Sequence, residues 1–230
     1  MRYPRMSVGR RVAALSAALE NECARLVHYP AWYMRHRHFL PGGYLSHRSA
    51  ALYERAVGPL YNLPGPGVVR QAIARTVVEH APQRILELGC GTGGLLQFLR
   101  QEMPGASLHG LDLSPFLLEH AKSALAAERS DIELHHDDAS RFRAVDRFDA
   151  VVAVHLLGHI PTKDGGAVFR NAITHLLAPG GVFHVVEHRW HKPRWSHRFQ
   201  PAATTLLTPL LVHRQYQAGS MVPPIGEAIT

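Results

Sequence analysis

The sequence predicts a doubly wound α/β protein, a mainly parallel sheet with helices on both faces, and three observations carry that prediction. Short apolar runs alternate with segments of helical periodicity across residues 66–187. The first run, Arg84 to Leu88, leads directly into Gly89-Cys90-Gly91-Thr92-Gly93-Gly94 and then Leu95 to Glu102, the order strand, glycine loop, helix. An acid, Asp112, closes the second run about 20 residues beyond that loop.

Element by element, the turn-rich stretches Pro41-Gly42-Gly43 and Pro64-Gly65-Pro66-Gly67 set off residues 1–65 from the rest of the chain. Within that segment Ser7 can cap a helix bearing Val12, Leu15, Leu19, Cys23 and Leu26 at helical spacing, and the aromatic-rich stretch Tyr29 to Tyr44 comes after it. Val69, Ile73 and Val77 predict a helix over 68–80. Strands are expected at 84–88, 107–111, 132–135, 148–154 and 181–186, with helices at 95–102, 115–129 and 164–177. Ser114 caps the helix that Pro115 begins, and Pro179-Gly180-Gly181 turns the chain into the fifth strand. Residues 188–230 hold one apolar run, Thr205 to Val212, and then a Gly/Pro-rich tail. The expected organisation is an N-terminal helical and aromatic lid (1–65), an α/β core (66–187) and a short C-terminal segment, read as an abbreviated sheet end (188–230).

Composition narrows the function classes. A chain of 230 residues with 46% hydrophobic content can bury a core without staples, and its two cysteines, Cys23 and Cys90, build neither a disulfide framework nor a zinc finger. A bridge at Cys90 would obstruct the glycine loop, so a reducing, cytoplasmic setting is expected. No run reaches the roughly 18 apolar residues of a membrane span. The first residues hold Arg2, Arg5, Arg10 and Arg11 but then only a weak apolar run before Glu20, which suits a helix better than a signal peptide; an organelle transit peptide is compositionally compatible. The net charge of +7 divides into +6 over residues 1–60, −3 over 61–187 and +4 over 188–230. Basic ends around an acidic centre suggest peripheral contact with an anionic surface, although 22 Arg against three Lys also reads as coding bias over ordinary solvated faces. Nothing in the chain has the spacing of a zinc finger, an RRM or a basic zipper, so no nucleic-acid partner is expected.

The loop satisfies G-x-G-x-x-G, which by itself is compatible with several nucleotide-bearing ligands. Asp112 is placed to accept from ribose hydroxyls, a need common to nicotinamide and adenosine-type cofactors. Glu87, two residues before Gly89, is ill suited to a pyrophosphate and suits a ligand with a cationic part.

The run Ile85-Leu86-Glu87-Leu88-Gly89-Cys90-Gly91-Thr92-Gly93-Gly94 resembles the first motif of the class I S-adenosylmethionine-dependent methyltransferases, an acid followed by G-x-G-x-G. Gly110 to Ser114, Asp137-Asp138-Ala139, Phe148 to His155 with Leu156 to Ile160, and Leu177 to Gly181 resemble that family's later segments in order and spacing. The resemblance covers about residues 66–187 and implies a Rossmann-like methyltransferase fold of the small-molecule type, with S-adenosyl-L-methionine as cofactor. It implies that Glu87, Gly89, Gly91 and Gly93 hold the methionine end, Asp112 the ribose, Leu113 the adenine face, and Asp138 and Ala139 the adenine edge. Val154 and His155 would lie beside the sulfonium.

Methyl transfer from a sulfonium is an in-line displacement, so a base is needed only where the nucleophile must lose a proton. His155, His159 and His188 are the candidate bases by position, each with a bland alternative as a packing or capping residue. His135 and His136 suggest a metal, but the neighbouring Asp137 and Asp138 are already assigned, so no metal is expected. Residues 1–65 and 188–230, with Trp190 and Trp195, would choose the acceptor: a quinone, phenol, polyketide-like molecule or lipid amine. The family's sheet ends in a helix and an antiparallel strand pair, which residues 188–230 do not supply in full: either the sheet is short or the chain is incomplete, and a missing hairpin would leave an open edge suited to a homodimer or mark an inactive relative. Two rival readings share the pattern, a catalytically silent partner or scaffold with this fold and a nicotinamide-dependent oxidoreductase. Cofactor binding without turnover would mark the first, and preference for NAD the second.

Overall fold

The computed structural model describes residues 27, 29–34, 40, 43–57, 65–127, 131–188 and 211–220. The helix expected at the N-terminus, Trp190, Trp195 and residues 205–210 lie outside them. Five parallel strands, β1 (Arg84–Leu88), β2 (Ser107–Asp112), β3 (Glu133–His136), β4 (Phe148–Val154) and β5 (Leu177–His188), are joined by an antiparallel β6 (Leu211–Gln217). The order β3-β2-β1-β4-β5-β6 reverses direction between β1 and β4, the point where a doubly wound sheet opens a crevice at its carboxyl ends.

The helices are α1 (His47–Leu52), α2 (Pro66–Val78), α3 (Gly94–Glu102), α4 (Pro115–Ala127) and α5 (Thr162–Asn171). Alternation along each strand sends side chains to two cores. Leu86, Leu88, Leu111, Val151 and Phe183 pack with Phe169, Ile173 and Leu176 of α5 and the π-helical turn Ala172–Leu176. Ile85, Leu108 and Val152 meet Ile73 and Val77 of α2 and Leu95 and Leu99 of α3 on the other face. Both faces being covered, β1 and β4 are buried nearly throughout and mostly apolar, which is why they stand out in the sequence as runs. The Asp149 carboxylate ties the start of β1 to β4, accepting from the N–H of Gln83 at 2.8 Å and of Arg84 at 2.9 Å. The Ser114 hydroxyl accepts from Leu117 N at 3.1 Å, the cap expected of it.

Two expectations need correction. The sheet does not stop at β5, because β6 pairs along it from His188↔Leu211 to Val182↔Gln217 and becomes the margin in its place, and Tyr216 packs on Phe169 with ring centroids 4.8 Å apart. The stretch His213 to Gln217 reads as polar in the sequence because its side chains are mostly exposed, as suits a strand at the sheet's margin. β5 also begins earlier than expected, at Leu177: the Pro179-Gly180-Gly181 turn lies within it as an irregularity that shifts the β4–β5 register. A Cβ on Gly181 would meet the carbonyl oxygens of Ala178, Asp149 and Phe148 at 2.9–3.0 Å, so only glycine permits that approach.

Gly110, in the middle of β2, is equally constrained. A Cβ there would lie 2.7 Å from Leu96, 2.8 Å from Cys90 Sγ and 2.9 Å from Leu134. Gly110→Ala is expected to cost about 1–3 kcal/mol through overpacking, read as a lower denaturant midpoint at unchanged m-value.

Candidate functional site

Two adjoining hollows open at the carboxyl ends of β1, β2 and β4. The larger, about 1070 Å³ counted to its mouth, is lined by Gly89 and Gly91 after β1, Leu111 to Leu113 at the end of β2, Asp137 to Ser140 after β3, and Val154 to Leu156 after β4. The smaller is lined by Glu87, Cys90, Thr92 and Arg70, and shares Tyr53, Gly89, Gly91, Val154 and His155 with the larger. This mixture of lining residues suits a ligand with an apolar body and a few fixed polar groups.

The glycine loop shapes the floor. Gly89 and Gly91 have φ of 69° and 54°, and a Cβ on Gly89 would meet Leu156 Cδ1 at 2.8 Å. The loop is held from below by Asp112, whose carboxylate accepts from Gly91 N at 2.9 Å and from Ser114 N at 2.8 Å. One acid therefore organises both the loop and the start of α4 while still facing the larger hollow. Gly93 does not line either hollow; its φ of 79° and its closeness to Ala121 and Leu125 make it the point where the start of α3 packs on α4.

Two buried carboxyls give the site its electrostatics. Burial pushes Glu87 up to about 8, the Arg70 guanidinium opposing that rise and Asp112 adding to it, and Glu87 Oε2 has no hydrogen-bond partner. Burial likewise pushes Asp112 up to about 6 against the backbone N–H groups that favour its charge. Both acids would gain from a cation beside them, since burial raises each above its ordinary value and Arg70 offsets that only in part, at Glu87.

The N-terminal segment forms a wall of the larger hollow. Pro30, Trp32, Tyr33, Tyr44 and Tyr53 line it, and Tyr29–Tyr33, Tyr33–Tyr44 and Tyr44–Tyr53 form a ladder with ring centroids 5.8, 5.8 and 6.1 Å apart. The ladder is anchored where Ser114 Oγ donates to Tyr44 O at 2.6 Å and where Tyr29 Oη lies 3.1 Å from His136 Nε2. Thr92 of the glycine loop hydrogen-bonds the Glu54 carboxylate in the π-helical turn Tyr53–Val57.

Of the candidate bases, His155 lines both hollows and His159, in the 3₁₀ turn Leu157–His159, lines the larger. His155 has φ 51°, uncommon for a non-glycine residue, and its N–H donates to Val186 O at 2.9 Å. His188 ends β5, and its side chain is outside the described part. The structure adds Glu187, which sequence reasoning passed over. It is buried, accepts from Leu157 N at 2.7 Å, and is pushed by burial to about 7, so it holds the turn that carries His155 and His159. Its only signal in the sequence is an acid at the end of an otherwise apolar strand. Tyr53 and Arg70 were also missed, because nothing local ties them to the loop.

Residues 85–181 match the methyltransferase domain family. A demethylmenaquinone methyltransferase of Thermus thermophilus is 32% identical over 121 residues, covering 51% of this chain and 53% of its own. A dTDP-3-amino-3,4,6-trideoxy-α-D-glucopyranose N,N-dimethyltransferase of Streptomyces venezuelae is 35% identical over 122 residues, covering 51% and 48%. Among solved structures, the CcbJ methyltransferase from Streptomyces caelestis superposes with a TM-score of 0.50 at 25% identity, over 60% of this chain and 55% of that one. The chain spans about half the length of the curated relatives it matches. Over residues 85–181 the chain is therefore similar to the S-adenosylmethionine-dependent methyltransferases.

Proposed function

We propose that this protein transfers a methyl group from S-adenosylmethionine to an oxygen, nitrogen or carbon atom of a small, partly apolar acceptor. The observation that carries the reading is the pairing of a glycine loop and two buried acids with an aromatic wall around two adjoining hollows. When bound, the cofactor supplies an electrophilic methyl on a sulfonium that is already a good leaving group. Glu87, Gly89 and Gly91 would hold its cationic methionine end, Asp112 its ribose, and Leu113, Asp138 and Ala139 its adenine, with Val154 and His155 next to the reacting centre. Gly93 would act at one remove, by seating α3.

The chain's remaining task is to position the acceptor and keep water out, for which the tyrosine ladder is suited. A planar quinol or phenol matches a wall of aromatic rings better than a sugar does. The Thermus and Streptomyces relatives act on a quinone precursor and an amino sugar, so the preference rests on the wall itself. His155 or His159 would take the proton from a hydroxyl acceptor. Contact of the basic ends with an anionic lipid surface would bring such an apolar acceptor to the crevice; among the described residues no helix is long and apolar enough to cross a membrane.

The test begins with calorimetric titration of S-adenosylmethionine, S-adenosylhomocysteine and NAD, followed by methyl transfer to a panel of quinols, phenols and lipid amines. Binding of the adenosyl pair with turnover on a quinol or phenol is expected. Binding without turnover on any acceptor would favour the scaffold reading, and preference for NAD would overturn the cofactor. His155→Asn spares the backbone, since asparagine tolerates positive φ. If His155 is the base, this variant lowers kcat by about 10²–10⁴-fold and leaves cofactor affinity unchanged.

A further inference from the structure

Away from the crevice, the pairing of β2 with β3 assembles three groups that the sequence keeps 24 and 26 residues apart. His109 stands opposite Glu133 in the parallel register, and His135 lies two residues further along β3 on the same face. His109 Nδ1 is 3.1 Å from His135 Nε2 and 3.4 Å from Glu133 Oε2, while His135 Nε2 is 3.6 Å from Glu133 Oε1. The 3.1 Å between the two ring nitrogens and the 3.4 Å from His109 Nδ1 to one carboxylate oxygen are close to the edges of a tetrahedron whose centre lies about 2.0–2.2 Å from each corner, the bond lengths zinc makes to imidazole and carboxylate, and one ligand atom from each of the three groups lies within 4.8 Å of the others.

We propose that His109, Glu133 and His135 bind one zinc ion, with water in the fourth position. The surroundings are those of a built site. Ser107 Oγ lies 2.9 Å from His109 Nε2 and so orients the ring with Nδ1 toward the other two groups, the outer hydrogen bond that metal-bound histidines need. Phe148 packs edge-on against His109 with centroids 5.1 Å apart, and Phe142 lies 4.9 Å from His135, giving the imidazoles an apolar backing. His109 is buried while the Glu133 carboxylate is largely exposed, which leaves an entry path and room for the water. The Arg84 guanidinium, 5.0 Å over the Phe148 ring, is the cation on this face that opposes a metal, and the Glu133 carboxylate offsets it. His136, which sequence reasoning paired with His135, points elsewhere, its Nε2 being 3.2 Å from Leu113 O. The ion would clip β3, the sheet's edge strand, to β2. The proposal does not depend on the reading of the crevice.

The test uses the untagged, chelator-treated full chain and titrates it with Co²⁺ and then Zn²⁺. One equivalent of cobalt is expected to give the strong visible absorption of a four-coordinate site, and one equivalent of zinc to abolish it. His135→Ala and Glu133→Ala, at half-buried and exposed positions, should remain folded by circular dichroism and weaken zinc binding at least about tenfold. His213→Ala, which alters a separate histidine contact with His184, should leave the spectrum unchanged. Absence of a stoichiometric cobalt spectrum, or equal zinc affinity in the folded His135→Ala variant, would overturn the assignment.

Discussion

Replacing Asp112 by alanine is expected to weaken S-adenosylmethionine binding at least about 100-fold, because the change removes two functions at once. The carboxylate faces the crevice where the ribose would lie, and it also accepts from Gly91 N and Ser114 N. Without it those two N–H groups lose their partners in a dry setting, at about 1–3 kcal/mol each, and the glycine loop loses the contact that sets its height. Relief of burying an acid that is pushed up to about 6 offsets part of that cost. Asp112→Asn should rescue little, since its amide nitrogen would face one of the same two donors. Calorimetry and thermal melts on both variants give the answer. A folded Asp112→Ala protein with unchanged affinity would remove Asp112 from the site.

Glu87→Gln is expected to move stability and binding in opposite directions. The folded protein holds the Glu87 carboxyl at about 8, above the roughly 4.3 of an unfolded glutamate, so the folded state binds the extra proton between those values. Stability from this residue is therefore complete at low pH and falls as pH rises through about 8. Glutamine resembles the protonated acid and escapes the fall. The variant should melt close to the parent at pH 5 and about 2–6 °C above it at pH 8.5, as expected for about 1–2 kcal/mol in a domain of this size. A cationic ligand favours the ionised acid, so affinity of the parent for S-adenosylmethionine should rise between pH 6 and 8, by at most about tenfold per unit for each proton released. In Glu87→Gln that rise should flatten and binding at pH 8 should be weaker by about 10–100-fold. Heats in buffers of different ionisation enthalpy would count the proton. Release of no proton, or an equally steep rise in the variant, would show that Glu87 does not meet the ligand's charge.

How much of this was legible depended on whether a feature is local. The strands were readable because parallel strands covered on both faces are mostly apolar, as Ala150 to Ala153 are and as Ile85, Leu86 and Leu88 are around Glu87. The loop was readable because glycine is the residue that adopts positive φ without strain, as Gly89 and Gly91 do. β6 was not, because an exposed marginal strand such as His213 to Gln217 carries no apolar run. Glu187 was not, because its partner, the backbone of Leu157, comes from another strand's exit 30 residues earlier.

The sequence by itself determined the alternation of strand and helix, the glycine loop and the acid beyond it, since each depends on hydrophobic period or on backbone freedom at consecutive residues. Only the tertiary structure decided that Gly93 packs helices, that tyrosines of residues 29–53 wall the crevice, that two acids there are buried, and that His109 meets Glu133 and His135. Those outcomes are set by strand register and burial, which join residues far apart in the chain and leave no periodic trace in it.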